Sequence, residues 1–149
     1  MPNLDVTDHE LIRLLQRDGR LPYTQLAKTV GLSEAAVRQR VQRLIDSGVV
    51  QIVAVTDPTS LGMRRAALVS IKVDGDVQRV ADVIQKFDEV VYLVMTAGAV
   101  DLICEVVVES DEALLHLLNN RIRSIPGVRS TETSMYLRLY KQTYQWGTK

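Results

Sequence analysis

Apolar residues recur at helical spacing through the first third of the chain and switch to alternation after residue 66. Leu11, Ile12, Leu14 and Leu15 form one stripe. Ahead of it, Thr7 with Glu10 has capping-box spacing, and Asp18-Gly19 ends this first helix. Pro22 is placed to start a second helix whose Leu26, Ala27 and Val30 face inward before Gly31 stops it. Ser33 caps a third, in which Val37, Val41, Leu44 and Ile45 share a face and Ser47-Gly48 is the end. Val49 to Val55 then reads as β, and Asp57-Pro58-Thr59-Ser60 with Gly62 as turns.

In the second half, Ala67, Val69, Ile71 and Val73 alternate as in a strand, and Asp74-Gly75-Asp76 turns the chain into a helix with Val77, Val80, Ile84 and Phe87 on its buried stripe. Val90 to Met95 and Asp101 to Val108 are strands joined by residues 96–100. Ser110 caps a helix carrying Leu114, Leu115, Leu118 and Ile122; Pro126-Gly127 stops it, and Val128 to Tyr140 is the last strand. The order β-α-β-β-α-β predicts a ferredoxin-like sandwich with both helices on one face of an antiparallel sheet. Ile103 and Val107 fall on one side of their strand and Leu102, Cys104, Val106 and Val108 on the other, so a second subunit is expected to cover the free face.

Composition narrows the class. The 149 residues are 46% hydrophobic, enough for real cores, and carry no net charge. DNA binding must therefore be argued locally. Up to Ala66 there are nine Arg or Lys against seven Asp or Glu, and beyond it nine against eleven, which favours the first half as the DNA side. A single cysteine, Cys104, excludes an intrachain disulfide and a cysteine metal cluster and reads as a small buried hydrophobe. No segment resembles a signal peptide or a membrane span, so a cytoplasmic location is expected.

Tyr23 to Arg43 meets the requirements of a helix-turn-helix: two helices, a tight turn at Gly31-Leu32, and a second helix whose start is free to enter a groove. Off the core, that helix presents Ser33, Glu34, Ala36, Arg38, Gln39, Arg40, Gln42 and Arg43. Small Ser33 and Ala36 permit close approach to base edges, Arg38 and Gln39 can offer paired donors to guanine or adenine, and Arg43 can neutralise a phosphate. A solvated charged face is the plainer reading of the same residues. Arg40 has two readings, an ion pair with Asp8 or Asp5 and a phosphate contact. Glu34 suits the helix N-terminus, or a cytosine amino group.

Thr96-Ala97-Gly98-Ala99-Val100-Asp101 combines a glycine that permits unusual backbone angles, amides able to meet a carboxylate, and an acid able to receive an ammonium. Those features suit a zwitterionic amino acid; they equally suit an ordinary hairpin turn.

The opening from Leu4 to Arg20 resembles that of the Lrp/AsnC (feast/famine) regulators, as does Leu26-Ala27-Lys28-Thr29-Val30-Gly31-Leu32-Ser33 followed by Val37, Arg40-Val41, Arg43-Leu44 and Gly48-Val49-Val50. The resemblance spans nearly the whole chain. It implies an α+β protein: a winged helix-turn-helix over 1–55, a linker over 56–66, and a βαββαβ ligand-sensing (RAM/ACT-like) and oligomerisation domain over 67–149. Gly98 and Asp101 match the family's effector loop, whereas Val100 stands where the family usually has an aromatic. Thr131, Thr133 and Leu137 are carried over by placement as contributions from an adjoining subunit. The implied partners are double-stranded DNA, a small-molecule effector of amino-acid type, and further copies of the chain, as a homodimer assembling up to an octamer. No cofactor or metal is implied.

Two other classes remain. An architectural DNA protein would lack the effector response. A haem-pathway decarboxylase of similar architecture needs a proton donor and cations around a tetrapyrrole, but the chain offers only His9 and His116, neither beside a base or nucleophile pattern, so no enzymatic activity is expected. Tyr140, Tyr144 and Trp146 form an aromatic tail read as packing against a partner.

Overall fold

Helix α1, Val6–Arg17, begins where two carboxylates cap each other's backbone. In this computed structural model, which describes residues 3–143, the Asp8 amide donates to Asp5 Oδ1 (2.8 Å) and the Asp5 amide to Asp8 Oδ2 (3.2 Å). The capping box thus lies at Asp5 and Asp8, not at Thr7 and Glu10. Thr7 sits inside the helix, and the Glu10 carboxylate binds the Arg13 guanidinium instead. The ionised pair wins because a charged acceptor at a helix N-terminus also gains from the helix dipole.

Helix α2, Tyr23–Val30, follows Pro22 and ends at Gly31 in the left-handed region, φ 71°. Helix α3, Glu34–Asp46, starts at Ser33, whose Oγ accepts from the Ala36 amide (3.2 Å). Leu11, Leu26, Val37 and Val41 are fully buried between the three helices. These residues belong to one compact unit reaching Val55, and Thr56–Tyr140 form a second.

The strand expected at Val49 to Val55 does not form. The Val49 and Val50 amides both donate to the Leu44 carbonyl, and Ile52, Val53 and Val55 are 50%, 68% and 61% exposed. A strand needs a neighbour for its hydrogen bonds, and no described residues of this unit lie alongside as one. Within residues 56–66 the chain makes a 3-10 turn, Thr59–Leu61, where Asp57 accepts from the Thr59 amide and the Ser60 hydroxyl.

The second unit runs β1 (Arg65–Val73), α4 (Val77–Ile84), β2 (Val90–Met95), β3 (Leu102–Val108), α5 (Asp111–His116) and β4 (Val128–Met135), in the sheet order β2-β3-β1-β4 with every pair antiparallel. The helices cover one face. Val69, Ile71, Leu102, Cys104 and Val106 of the sheet meet Val80, Ile84, Leu117 and Ile122 there, all at most 1% exposed. Burial raises the Cys104 thiol to about 11, as an inert small hydrophobe requires.

Three details depart from the pattern. Helix α5 continues as a π-helical segment, Leu117–Ile122, which keeps Leu117, Leu118 and Ile122 inward, while Leu115 is 58% exposed. Strand β3 starts at Leu102, with Asp101 still in the preceding loop. Strand β4 stops at Met135, not Tyr140: the Tyr136 amide reaches the Ala66 carbonyl (2.9 Å), and further on the chain has run past the start of β1. Leu137 is therefore 97% exposed. On the face opposite the helices, Leu68, Ile103 and Val107 are half-buried in this chain. There Tyr136 is shifted up to about 12, by burial first and by the Glu105 carboxylate second.

Candidate nucleic-acid interface and effector loop

The off-core residues of α3 divide into two sets. Arg38, Gln39, Gln42 and Arg43 line a surface groove with Ala35, Asp46 and Ser47. Ser33 and Glu34 sit at the helix start, Ala36 is half-buried beside them, and the Gln42 amide donates to Asp46 (2.8 Å). Arg40 instead turns toward α1, where Nη1 meets Asp5 Oδ2 (2.6 Å) and Asp8 Oδ1 (2.9 Å). Of its two readings, the ion pair is the one present, with both aspartates.

Arg43 also reaches α1: Nη2 lies 2.6 Å from Asp8 Oδ2, with its side chain 55% exposed. Asp8, only 1% exposed, thus receives two guanidiniums as well as a backbone amide. The Arg40 hydrogen bond holds the Asp5 carboxyl below its usual range, and Asp5 in turn raises the Arg40 guanidinium. This cluster fixes α3 against α1, and a phosphate approaching Arg43 must share it with Asp8.

Arg38 takes a third arrangement. Its Nη2 pairs with Glu34 Oε1 at 2.9 Å, one turn earlier on the same helix, and its guanidinium lies 4.8 Å from the centre of the Tyr23 ring. Glu34 therefore has a partner beyond the helix dipole. The ring contact of Tyr23 exceeds what spacing revealed: a cation over an aromatic ring on another helix has no local sequence signal.

In the loop, Asp101 is tied into the sheet. Its Oδ2 accepts from the Val73 amide (2.8 Å) where the β1–β4 register shifts, and its own amide donates to the Ile71 carbonyl (3.0 Å). The Asp101 carbonyl accepts from the Thr96 amide, and Thr96 Oγ1 donates to the Val100 carbonyl (2.5 Å). Ala97 and Gly98 are exposed, and Val100 is half-buried. Gly98 does not adopt the unusual backbone expected of it: it is not among the positive-φ glycines, so an ordinary residue fits its conformation.

Thr131 and Thr133 lie opposite Ile71 and Val69 on β4, two strand spacings or roughly 10 Å from β3. Thr131 Oγ1 accepts from Arg123 Nε (2.8 Å), and Thr133 Oγ1 is buried with no hydrogen-bond partner. Leu137, expected on the same strand, lies past its end. The chain groups Thr96, Val100 and Asp101 at one site and Thr131 with Thr133 at another; it does not join Leu137 to either. Arg123, which also holds Asn119 (2.6 Å), escaped the pattern because it follows the π-helical segment.

Asp101→Ala is expected to lower stability in a urea titration by about 1–2 kcal/mol, since the Val73 amide loses its acceptor, whereas Asp101→Asn retains an acceptor and stays near the parent. Equal losses in both would show that charge, not the hydrogen bond, matters there.

A helix-turn-helix with a cationic outer face, joined in one chain to a ferredoxin-like βαββαβ domain, defines a DNA-binding transcriptional regulator with a ligand-binding domain. Residues 4–45 match the AsnC-type helix-turn-helix domain and residues 66–146 the Lrp/AsnC ligand binding domain. The chain belongs to the Lrp/AsnC family. It is 34% identical to the HTH-type transcriptional regulator FL11 of Pyrococcus horikoshii over 142 residues, covering 94% of this chain and 93% of that one. The leucine response regulatory protein of Mycobacterium tuberculosis superposes with a TM-score of 0.86 at 34% identity, covering 95% of this chain and 98% of that one. A Neisseria meningitidis transcriptional regulator in complex with L-Met also gives 0.86, at 26% identity and 95% coverage of each.

Among the described residues no helix is long and apolar enough to cross a membrane, and no group of His, Cys, Asp and Glu could hold a metal ion.

Proposed function

We propose that residues 1–55 read operator DNA with Arg38 and Gln39, approach it through Ser33 and Ala36, and anchor on phosphate with Arg43. Residues 67–149, past the 56–66 linker, then sense an amino acid and assemble the regulator. The observation that carries the DNA reading is the shared groove of Arg38, Gln39, Gln42 and Arg43 on the outer side of α3. For the effector, support comes from Asp101 and the exposed Ala97-Gly98 backbone beside it, together with the L-Met complex of the Neisseria relative. The site would form from residues 96–101 of one subunit with Thr131, Thr133 and Leu137 of another, in a homodimer assembling further. Val100 in the usual aromatic position reshapes that pocket. The effector acts by preferring one assembly over another. The reading is of a cytoplasmic, non-enzymatic regulator; His9 and His116 are both exposed.

Binding of the purified protein to the DNA upstream of its own gene, against unrelated DNA, with and without an amino-acid mixture, tests this directly. Preference for its own DNA that shifts with amino acids supports a responsive regulator; preference without the shift points to another effector or to none. Arg38→Ala and Gln39→Ala are expected to relax base preference by about 1–3 kcal/mol each, and Arg43→Ala to weaken all sequences alike. Uniform loss from all three would contradict that division.

A further inference from the structure

We propose that Tyr23, on the helix preceding the recognition helix, sets base selectivity by holding Arg38 in its reading orientation; the proposal rests on Arg38 being a base-reading residue. Tyr23 opens α2, directly after Pro22, and its ring is half-buried where it packs on the core residues around Leu11 and Leu26. The ring is therefore fixed by the fold. Arg38, whose side chain is 62% exposed, lies over it with its guanidinium carbon 4.8 Å from the ring centre.

The two neighbours of Arg38 act differently. Glu34 takes a hydrogen bond from Nη2 (2.9 Å), so it occupies a donor that a guanine edge would otherwise use. Tyr23 holds the guanidinium by cation–π contact with its ring and, unlike Glu34, takes no hydrogen bond from it in doing so. A long flexible side chain loses much rotamer freedom when it binds. A platform that restricts it beforehand lowers that loss only for sequences that use Arg38, so the gain appears as selectivity and not as general affinity. Glu34 also repels phosphate. Its removal frees one donor and strengthens binding to all sequences, the opposite sign to loss of the ring.

The experiment is selection of bound sequences from a randomised duplex library by the full chain. Four single variants are compared: Tyr23→Phe, Tyr23→Leu, Tyr23→Met and Arg38→Ala. Tyr23→Leu and Tyr23→Met are each also combined with Arg38→Ala. Thermal melting identifies which of Tyr23→Leu and Tyr23→Met keeps the fold, and that variant carries the test. Arg38→Ala marks the base position that Arg38 reads. At that position the ring-less variant is expected to lose roughly two- to fivefold in discrimination, with Tyr23→Phe like the parent and no further loss when Arg38 is already alanine. Unchanged discrimination in the ring-less variant overturns the proposal. So does a uniform fall in affinity that persists without Arg38, because that is a packing defect. If Arg38→Ala alone relaxes no position, the base-reading role fails, and the platform role falls with it for that separate and visible reason.

Discussion

Asp8→Ala is expected to lower the stability of the first unit by about 2–3 kcal/mol in a urea titration followed by circular dichroism. Asp8 is 1% exposed and serves Arg40, Arg43 and the Asp5 amide at once, so alanine removes half of the α1 cap, strands the Arg43 guanidinium and leaves Arg40 with Asp5 alone. The loss stays below that of a fully buried pair because the Arg40 and Arg43 side chains are 29% and 55% exposed and can recover hydration. Asp8→Asn keeps an acceptor for the Asp5 amide and should fall between. A change under about 0.5 kcal/mol in the alanine variant would mean that water replaces the cluster at no cost. The same variant should bind unrelated DNA more tightly while discriminating less: the Arg43 cation is released, and α3 keeps only the Arg40–Asp5 tie to α1. Asp5 adds a pH signature. Arg40 holds its folded-state pKa below the ordinary 3.8, so its contribution is present above that value and disappears as the pH falls through the folded pKa. Asp5→Asn should flatten that acid limb.

Gly127→Ala is expected to cost the second unit about 2–4 kcal/mol, while Gly98→Ala costs next to nothing. Gly127 has φ 101°, and a Cβ there would stand 3.3 Å from the Asp74 carbonyl oxygen and 3.5 Å from Val80 Cγ2, beside the 2.8 Å bond from the Asp74 amide to the Gly127 carbonyl. Both the backbone angle and the space resist a side chain. Gly98 has neither constraint: its φ is not positive, and nothing lies within 4 Å of its Cβ position. Thermal melts of the two variants decide the matter, and equal losses would refute the assignment of the constrained turn to Gly127. Because β4 begins at Val128, strain at Gly127 also displaces Thr131 and Thr133. Any effector response that depends on those residues should fall together with stability. In Gly98→Ala, a change of response without loss of stability would place the ligand at the loop itself.

What the sequence makes legible is whatever is decided within a few residues. Ser33 caps α3, Gly31 stops α2, and alternation along β1 and β3 predicts their buried faces, because each depends on neighbours one turn or one pleat away. Failures occur where a distant partner decides. Val49 to Val55 carries strand-like residues yet finds no strand to pair with, and the last strand ends where β1 begins. The capping box shifts by two positions because Asp5 and Asp8 are also recruited by Arg40 and Arg43, more than thirty residues on. The site follows the same rule. The face of α3 is visible as a run of arginines and glutamines, but which arginine is occupied by α1, and which lies over Tyr23, depends on how helices meet. For the loop, Gly98 and Asp101 stand out as residue types, whereas the bond from Val73 that engages Asp101 belongs to the sheet.

Three arginines of α3 hold carboxylates in the protein alone: Arg38 with Glu34, Arg40 with Asp5 and Asp8, Arg43 with Asp8. A free arginine that neutralises a phosphate drives off about 0.9 of a condensed cation from the duplex, and that release makes binding sensitive to ionic strength. On the proposed role of Arg43, a phosphate would displace the Asp8 carboxylate, which would then draw cations back out of solution, so the net release at that contact would be smaller. Such a head would trade peak affinity in dilute buffer for a grip on DNA that varies less as the ionic strength of its surroundings rises and falls.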